Sequence, residues 1–84
     1  QNGNVGQRCR CMMTENGVFL SWRLNAYEYE QDINFIILRN GEKITDVITD
    51  STNYLDKDGK PEDVYTIKAV KGNKAEKKVR KLKL

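Results

Sequence analysis

Histidine is absent from these 84 residues, and proline occurs once, at Pro61. Without an imidazole the chain lacks the commonest general base, and no Ser-His or Cys-His couple can form. Cysteine is scarce too, at Cys9 and Cys11 alone. Two apart in a strand, these thiols share a face with Cα atoms about 6.5–7 Å apart, near the outer limit for a disulfide. A bond between them is not expected, and two thiols without histidine do not close a zinc site. The pair reads as small apolar residues of a core. The longest apolar run, Phe35 to Leu38, is far too short to cross a bilayer. No segment has the make-up of a secretory signal, and Gln1-Asn2-Gly3-Asn4 reads as a mature or trimmed start that leaves the compartment open.

What is present suits one small soluble domain with a thin core, near the lower size at which a chain folds without staples. The hydrophobic fraction is 38% and the net charge +3. That charge is unevenly spread. Residues 1–70 hold 8 Lys/Arg against 11 Asp/Glu, whereas residues 71–84 hold seven basic side chains against Glu76. A basic stripe of this kind attracts an anionic partner, or it is a solvated edge strand whose lysines prevent edge-to-edge aggregation. The edge-strand reading is the expectation here, and a nucleic-acid partner is not.

Period-two alternation runs through most of the chain. Arg8 to Met13 alternates polar and apolar residues before Thr14-Glu15-Asn16-Gly17, a strand entering a hairpin turn. Val18 to Leu24 follows, with Val18, Leu20 and Trp22 on one face and Phe19, Ser21 and Arg23 on the other. Asn25 to Asp32 reads as a polar loop. Ile33 to Arg39 is a strand closed by Asn40-Gly41, Ile44 to Ile48 a short strand, and Thr52 to Leu55 another. Asp56 to Pro61 is a turn-rich connection. Val64 to Val70 places Tyr65, Ile67 and Ala69 inward, and Glu76 to Leu84 is the last strand.

About seven short strands, with turn signals every 8–12 residues and no convincing helix, predict a sandwich of two antiparallel sheets over residues 8–84. Its core is expected to join Trp22, Phe35, Ile37, Tyr54, Tyr65 and Ile67. Residues 1–7 are expected to form a flexible N-terminus.

Catalytic and cofactor motifs fail one by one. Asp56-Lys57-Asp58-Gly59 has the look of a calcium-loop fragment, yet the twelfth position counted from Asp56 is Ile67 rather than the glutamate required. A polar turn is the simpler reading. No Gly-rich phosphate loop joins a strand to a helix. No catalytic residue, metal ligand or cofactor is assigned.

Several segments carry a resemblance. Leu20-Ser21-Trp22 and Tyr65 to Val70 resemble the second and sixth strands of the fibronectin type III fold, an immunoglobulin-like sandwich. Asn16 to Leu24 is similar to the NGVxLSWRL start of the small β-domain that precedes the catalytic propeller in bacterial rhamnogalacturonan lyases. Phe35 to Gly41 resembles that family's FNVYRDG strand and turn, Thr49 to Asp56 its ITDSTNYxD segment, and Val64 to Val70 its YTVRAV strand. Together these span roughly residues 8–72. The family's LLGTDPS-like loop is replaced by Asn25 to Asp32, and two polar positions of its FNVYR strand become Ile36 and Leu38. The propeller that carries calcium and the catalytic residues in the resembled family has no counterpart in these residues. The resemblance therefore implies a non-catalytic accessory module of an extracellular or cell-surface pectin-degrading protein, and it transfers no active site.

Two surfaces are candidates for binding. Tyr27 and Tyr29, flanked by Glu28 and Glu30, form a sugar-stacking pair with hydroxyl-binding carboxylates, or one ring folds over the core as a lid. Ile36 and Leu38 point away from Phe35 and Ile37, joined across the sheet by Val64 and Val70. Contiguous exposed apolar area of this kind marks contact with a neighbouring domain or protein partner, unless residues 1–7 or the basic tail cover it. Three roles follow: a docking or spacing module, an independent binder of plant cell-wall polysaccharide, or a protein-adhesion domain.

Overall fold

The computed structural model describes residues 9–24, 26–71 and 74–83, with the side chains of Tyr27 and of residues 74–79 outside the description. The expected flexible segment 1–7 also lies outside the described residues. Two antiparallel sheets stack on one core, as the alternation predicts. The first sheet joins β1 (Arg10–Thr14), β2 (Gly17–Ser21) and β5 (Asn53–Asp56) in the order β1-β2-β5. The second joins β3 (Asn34–Arg39), β4 (Glu42–Lys43), β6 (Tyr65–Lys71) and β7 (Lys74–Leu82) in the order β4-β3-β6-β7.

The turns follow from local chemistry. Asn40 and Gly41 both adopt positive φ, 52° and 88°, as a tight hairpin between β3 and β4 requires. Gly17 at φ 128° opens β2 where a Cβ would run into the backbone of Asp56 and Lys57. A glycine is needed there twice over, for conformation and for space.

Register then sorts the side chains. Cys11 pairs with Leu20 and Tyr54 with Leu20, all turned inward, while Met12, Phe19 and Leu55 lie opposite one another on the outer face. In the second sheet Phe35, Ile37, Ile67 and Tyr65 face inward and are essentially solvent-free. Trp22 and Phe35 bridge the sheets edge to face, with centroids 5.5 Å apart and planes at 68°. Such a contact adds about 0.5–1.5 kcal/mol beyond the area it buries. The expected core residues thus touch, with Tyr54 half-buried and packed against the cluster together with Cys9 and Cys11. Both thiols are free.

Two expectations about elements are corrected. Asn25 to Asp32 is not a plain polar loop, because Ala26–Glu30 forms a one-turn helix, α1. Its exit is closed by the Ile33 N–H donating to the Glu28 carbonyl, 3.1 Å, with Asp32 at φ 54°. The predicted strand Ile44 to Ile48 does not form: the strand paired to β3 comes earlier, as the two-residue β4, and within 44–48 only a single bridge joins Ile48 to Phe35. The Thr45 hydroxyl accepts the Ile37 N–H, 3.2 Å, in place of a backbone carbonyl. A side chain satisfying the ladder donor lets the chain leave the sheet early.

Candidate functional site

At one end of the sandwich the chain builds a polar lock. Asp56 ends β5 with its side chain inward, and the Tyr65 hydroxyl donates to its Oδ2 at 2.6 Å. Arg39, at the end of β3, donates from one guanidinium nitrogen to both carboxylate oxygens, 2.9 and 2.7 Å. Beside it the Asn40 amide donates to Asp63 Oδ1, 2.9 Å, and the Lys60 N–H to Asp63 Oδ2, 2.8 Å. Burial, then donation to Asp56, pushes the Tyr65 phenol far above its ordinary value. The Asn40 amide and the Lys60 N–H hold the Asp63 carboxyl below the usual range. Asp56 is therefore occupied by Arg39 and Tyr65 and is not presented as a metal ligand. Among the described residues no three His, Cys, Asp or Glu side chains converge as metal ligands do.

The other end centres on Arg80. This residue, expected on the solvated basic stripe, is 6% exposed. Its register partner is Ile67, so its side chain turns inward, and its guanidinium lies 5.3 Å from the Phe35 ring centroid. It donates to Glu28 Oε1 at 2.6 Å and to the Arg23 carbonyl at 3.0 Å. Glu28 is accordingly buried rather than available to a sugar hydroxyl, which corrects its expected role. A buried arginine requires a buried carboxylate, because an unpaired charge away from water is too costly.

The remaining candidates at α1 divide. The Tyr27 side chain lies outside the described residues. Tyr29 is 77% exposed and Glu30 is exposed. Both rim an open cleft of about 610 Å³ between α1 and the segment 48–52, which also presents Asp32, Asp50 and Thr52.

On the outer face of the second sheet, Ile36 and Leu38 are half-buried, and Val64 is 37% exposed. Ile36 pairs with Lys68, and Leu38 pairs with Lys43 and Thr66. The apolar pair is thus framed by lysines. Val70 does not join it. A bulge between Lys68 and Val70 breaks the alternation, and Val70 is only 8% exposed. A bulge turns two successive side chains toward one face, here Ala69 and Val70.

Sequence reasoning missed a third surface. On the outer face of the first sheet, Arg10, Met12, Phe19, Ser21 and Arg23 line an open depression of about 360 Å³. Its signal was present in the alternation, since Phe19, Ser21 and Arg23 form the face opposite Val18, Leu20 and Trp22. The pairing of β1 with β2, which adds Arg10 and Met12, was needed to assemble it.

Comparison with known proteins points one way. The family model described as the rhamnogalacturonan I lyases β-sheet domain matches residues 4–84. A rhamnogalacturonan exolyase of Bacillus subtilis (strain 168), YesX, is 39% identical over 74 residues, covering 87% of this chain and 12% of the relative. The rhamnogalacturonan endolyase YesW of the same strain is 37% identical over 57 residues, 68% of this chain and 9% of that protein. Among solved structures, the YesX lyase superposes with a TM-score of 0.78 over 87% of this chain and 12% of its own. A Bacillus licheniformis rhamnogalacturonan lyase superposes with a TM-score of 0.80 at 32% identity, over 93% of this chain and 13% of its own. The chain therefore spans a small fraction of each relative's length.

Proposed function

The chain belongs to the family of rhamnogalacturonan I lyase β-sheet domains, and from that premise we propose that it is a non-catalytic accessory module of a secreted pectin-degrading protein. In this reading it docks against, and spaces, a neighbouring domain. The carrying observation is the Ile36–Leu38 pair on the outer face of the β3–β6 sheet, apolar and incompletely covered, with Val64 exposed beside it. Both side chains are already half-buried, so covering what remains contributes less than the roughly 1.5–3 kcal/mol each that burial from full exposure gives. Lys43 and Lys68 frame the pair and favour an acidic rim on the partner. Further support comes from length, since the relatives are far longer than the stretch matched here. The absence of histidine also removes the usual proton-transfer group from the module itself.

A test is direct. A rhamnogalacturonan lyase relative stripped of its β-sheet domain is titrated with this chain in an ultracentrifuge. Saturable association, abolished by Leu38→Asp but not by Tyr29→Ala, is expected. No association, or association indifferent to Leu38→Asp, sinks the reading.

A second reading is favoured by the 77% exposure of Tyr29 at the cleft rim. There the module binds pectic oligosaccharide itself, with the Tyr29 ring stacked on a sugar and Glu30 hydrogen-bonding its hydroxyls. Titration with rhamnogalacturonan oligosaccharides, lost on Tyr29→Ala, would favour it over docking.

A further inference from the structure

We propose that the outer face of the three-stranded sheet is a contact site for a uronate-bearing segment of an acidic polysaccharide. Arg10 and Arg23 take the carboxylates and Phe19 lies under a sugar ring. This face is on the opposite sheet from Ile36 and Leu38, so it stands apart from the docking surface. It rests on the preceding reading only for the choice of a pectic sugar.

Register builds the site as two rows. Arg10 pairs with Ser21 and Ser21 with Asn53, giving a polar row across all three strands. Met12 pairs with Phe19 and Phe19 with Leu55, giving an apolar row beside it. Arg23 continues the alternation of Phe19 and Ser21 beyond the end of β2 and lines the same depression. A sugar ring has this same division, with hydroxyls at its edge and a C–H face that packs on an aromatic ring. Phe19 is half-exposed and Met12 is 47% exposed, which leaves the apolar row open to contact.

The charge identifies the ligand class. Arg10 and Arg23 are both exposed, and among the described residues neither forms an ion pair. Arg23 lies two residues beyond the register partner of Arg10, about 7 Å along the sheet and one strand spacing across. A planar guanidinium matches a carboxylate in bidentate fashion. Two such groups lining one depression with an aromatic ring therefore select a charged sugar over a neutral one. The site depends on charge complementarity in a way that a purely apolar protein contact does not.

The experiment uses the full 84-residue chain, isotopically labelled, titrated with trigalacturonate and, separately, with maltotriose as a neutral sugar of equal length. Saturable amide shifts centred on Phe19, Ser21 and Asn53 are expected with the uronide and not with maltotriose. Added salt should weaken them. The double variant R10A/R23A should bind about tenfold more weakly or worse, while its melting temperature stays unchanged because both side chains are exposed. Phe19→Leu, which keeps an apolar side chain at this half-buried position, should lose the stacking contribution without unfolding. The proposal is overturned by the absence of saturable shifts at millimolar uronide or by equal shifts with maltotriose. Shifts centred on α1, or unchanged binding in R10A/R23A, overturn it as well. So does a docked lyase domain that covers Phe19 and Ser21, since the face would then belong to a protein contact. Failure of docking with uronide binding intact would remove the preceding reading and leave this one standing.

Discussion

Arg80 and Glu28, 52 positions apart in sequence, meet at 2.6 Å with side chains only 5% and 6% exposed. The pair ties the one-turn helix α1 to the edge strand β7 across the top of Phe35. A five-residue helix has little stability of its own, so tertiary contacts hold α1, this ion pair and the Ile33–Glu28 backbone bond among them.

Removing one partner should leave a buried charge stranded. Glu28→Ala is expected to cost about 3–5 kcal/mol in urea denaturation. The double change of Glu28→Leu with Arg80→Met should recover much of that loss, because an apolar pair needs no compensation. If Glu28→Ala proves indistinguishable from the parent chain, the pair does not hold α1.

Gly59 is predicted to resist enlargement. A Cβ there would collide with the Tyr65 hydroxyl and lie 2.7 Å from Val18 Cγ2. Gly59→Ala should therefore destabilise by about 1–3 kcal/mol, as overpacking of a close contact does. Gly41→Ala makes a useful comparison, since nothing lies within 4 Å of a Cβ at that position. Its cost should be that of a positive φ alone. Equal melting temperatures for Gly59→Ala and the parent chain would mean that the Tyr65–Asp56 lock is looser than its geometry.

Stability should vary with pH at both extremes. The folded-state value of Tyr65 is raised above its ordinary 10.0 by burial and by Asp56. Its contribution is thus fully present below pH 10 and lost as pH rises beyond that. The folded-state value of Asp63 is held below 3.8 by Asn40 and Lys60. Its contribution is present above that pH and lost on further acidification. Denaturation curves from pH 2 to 12 should show both limbs. Asn40→Ala should shrink the acid limb, because the folded-state value of Asp63 moves back toward 3.8, and Tyr65→Phe should flatten the alkaline limb. An alkaline limb unchanged in Tyr65→Phe would assign it to another group.

The two thiols should react slowly. Burial raises Cys9 and Cys11 above the ordinary thiol value of 9.0, and for Cys9 the nearby Arg80 only partly offsets this. The reactive thiolate is then a minor species near neutrality. Alkylation by iodoacetamide at pH 8 should be slower than for a free cysteine peptide and should accelerate in urea. Alkylation as fast as in the peptide would place these residues on an open surface instead of against the core.

Much of the fold was legible because strand alternation is a local property. Val18, Leu20 and, just past the end of β2, Trp22 declare one face without reference to any other strand, and Asn40-Gly41 declares its own turn. The misreadings at Val70, Glu28 and Arg80 share a different cause. Val70 is turned inward by a bulge opposite β7, and no composition rule for β6 alone reports that. Locally, Arg80 reads as one more member of a lysine-rich stripe and Glu28 as a solvated loop acid. Each is polar, and its partner is remote in sequence. The Arg10–Arg23 face went unread for a similar reason, because half of it comes from β1 and half from β2.

From the chain alone came the period-two pattern, the turns and the inward set of apolar side chains, all of which depend on neighbours one or two residues away. Tertiary structure alone settled which charges are buried, where the sheet bulges, and which side chains from separate strands share an outer face. Those outcomes depend on contacts between residues tens of positions apart, whose desolvation and pairing energies do not exist until the two sheets have closed on each other.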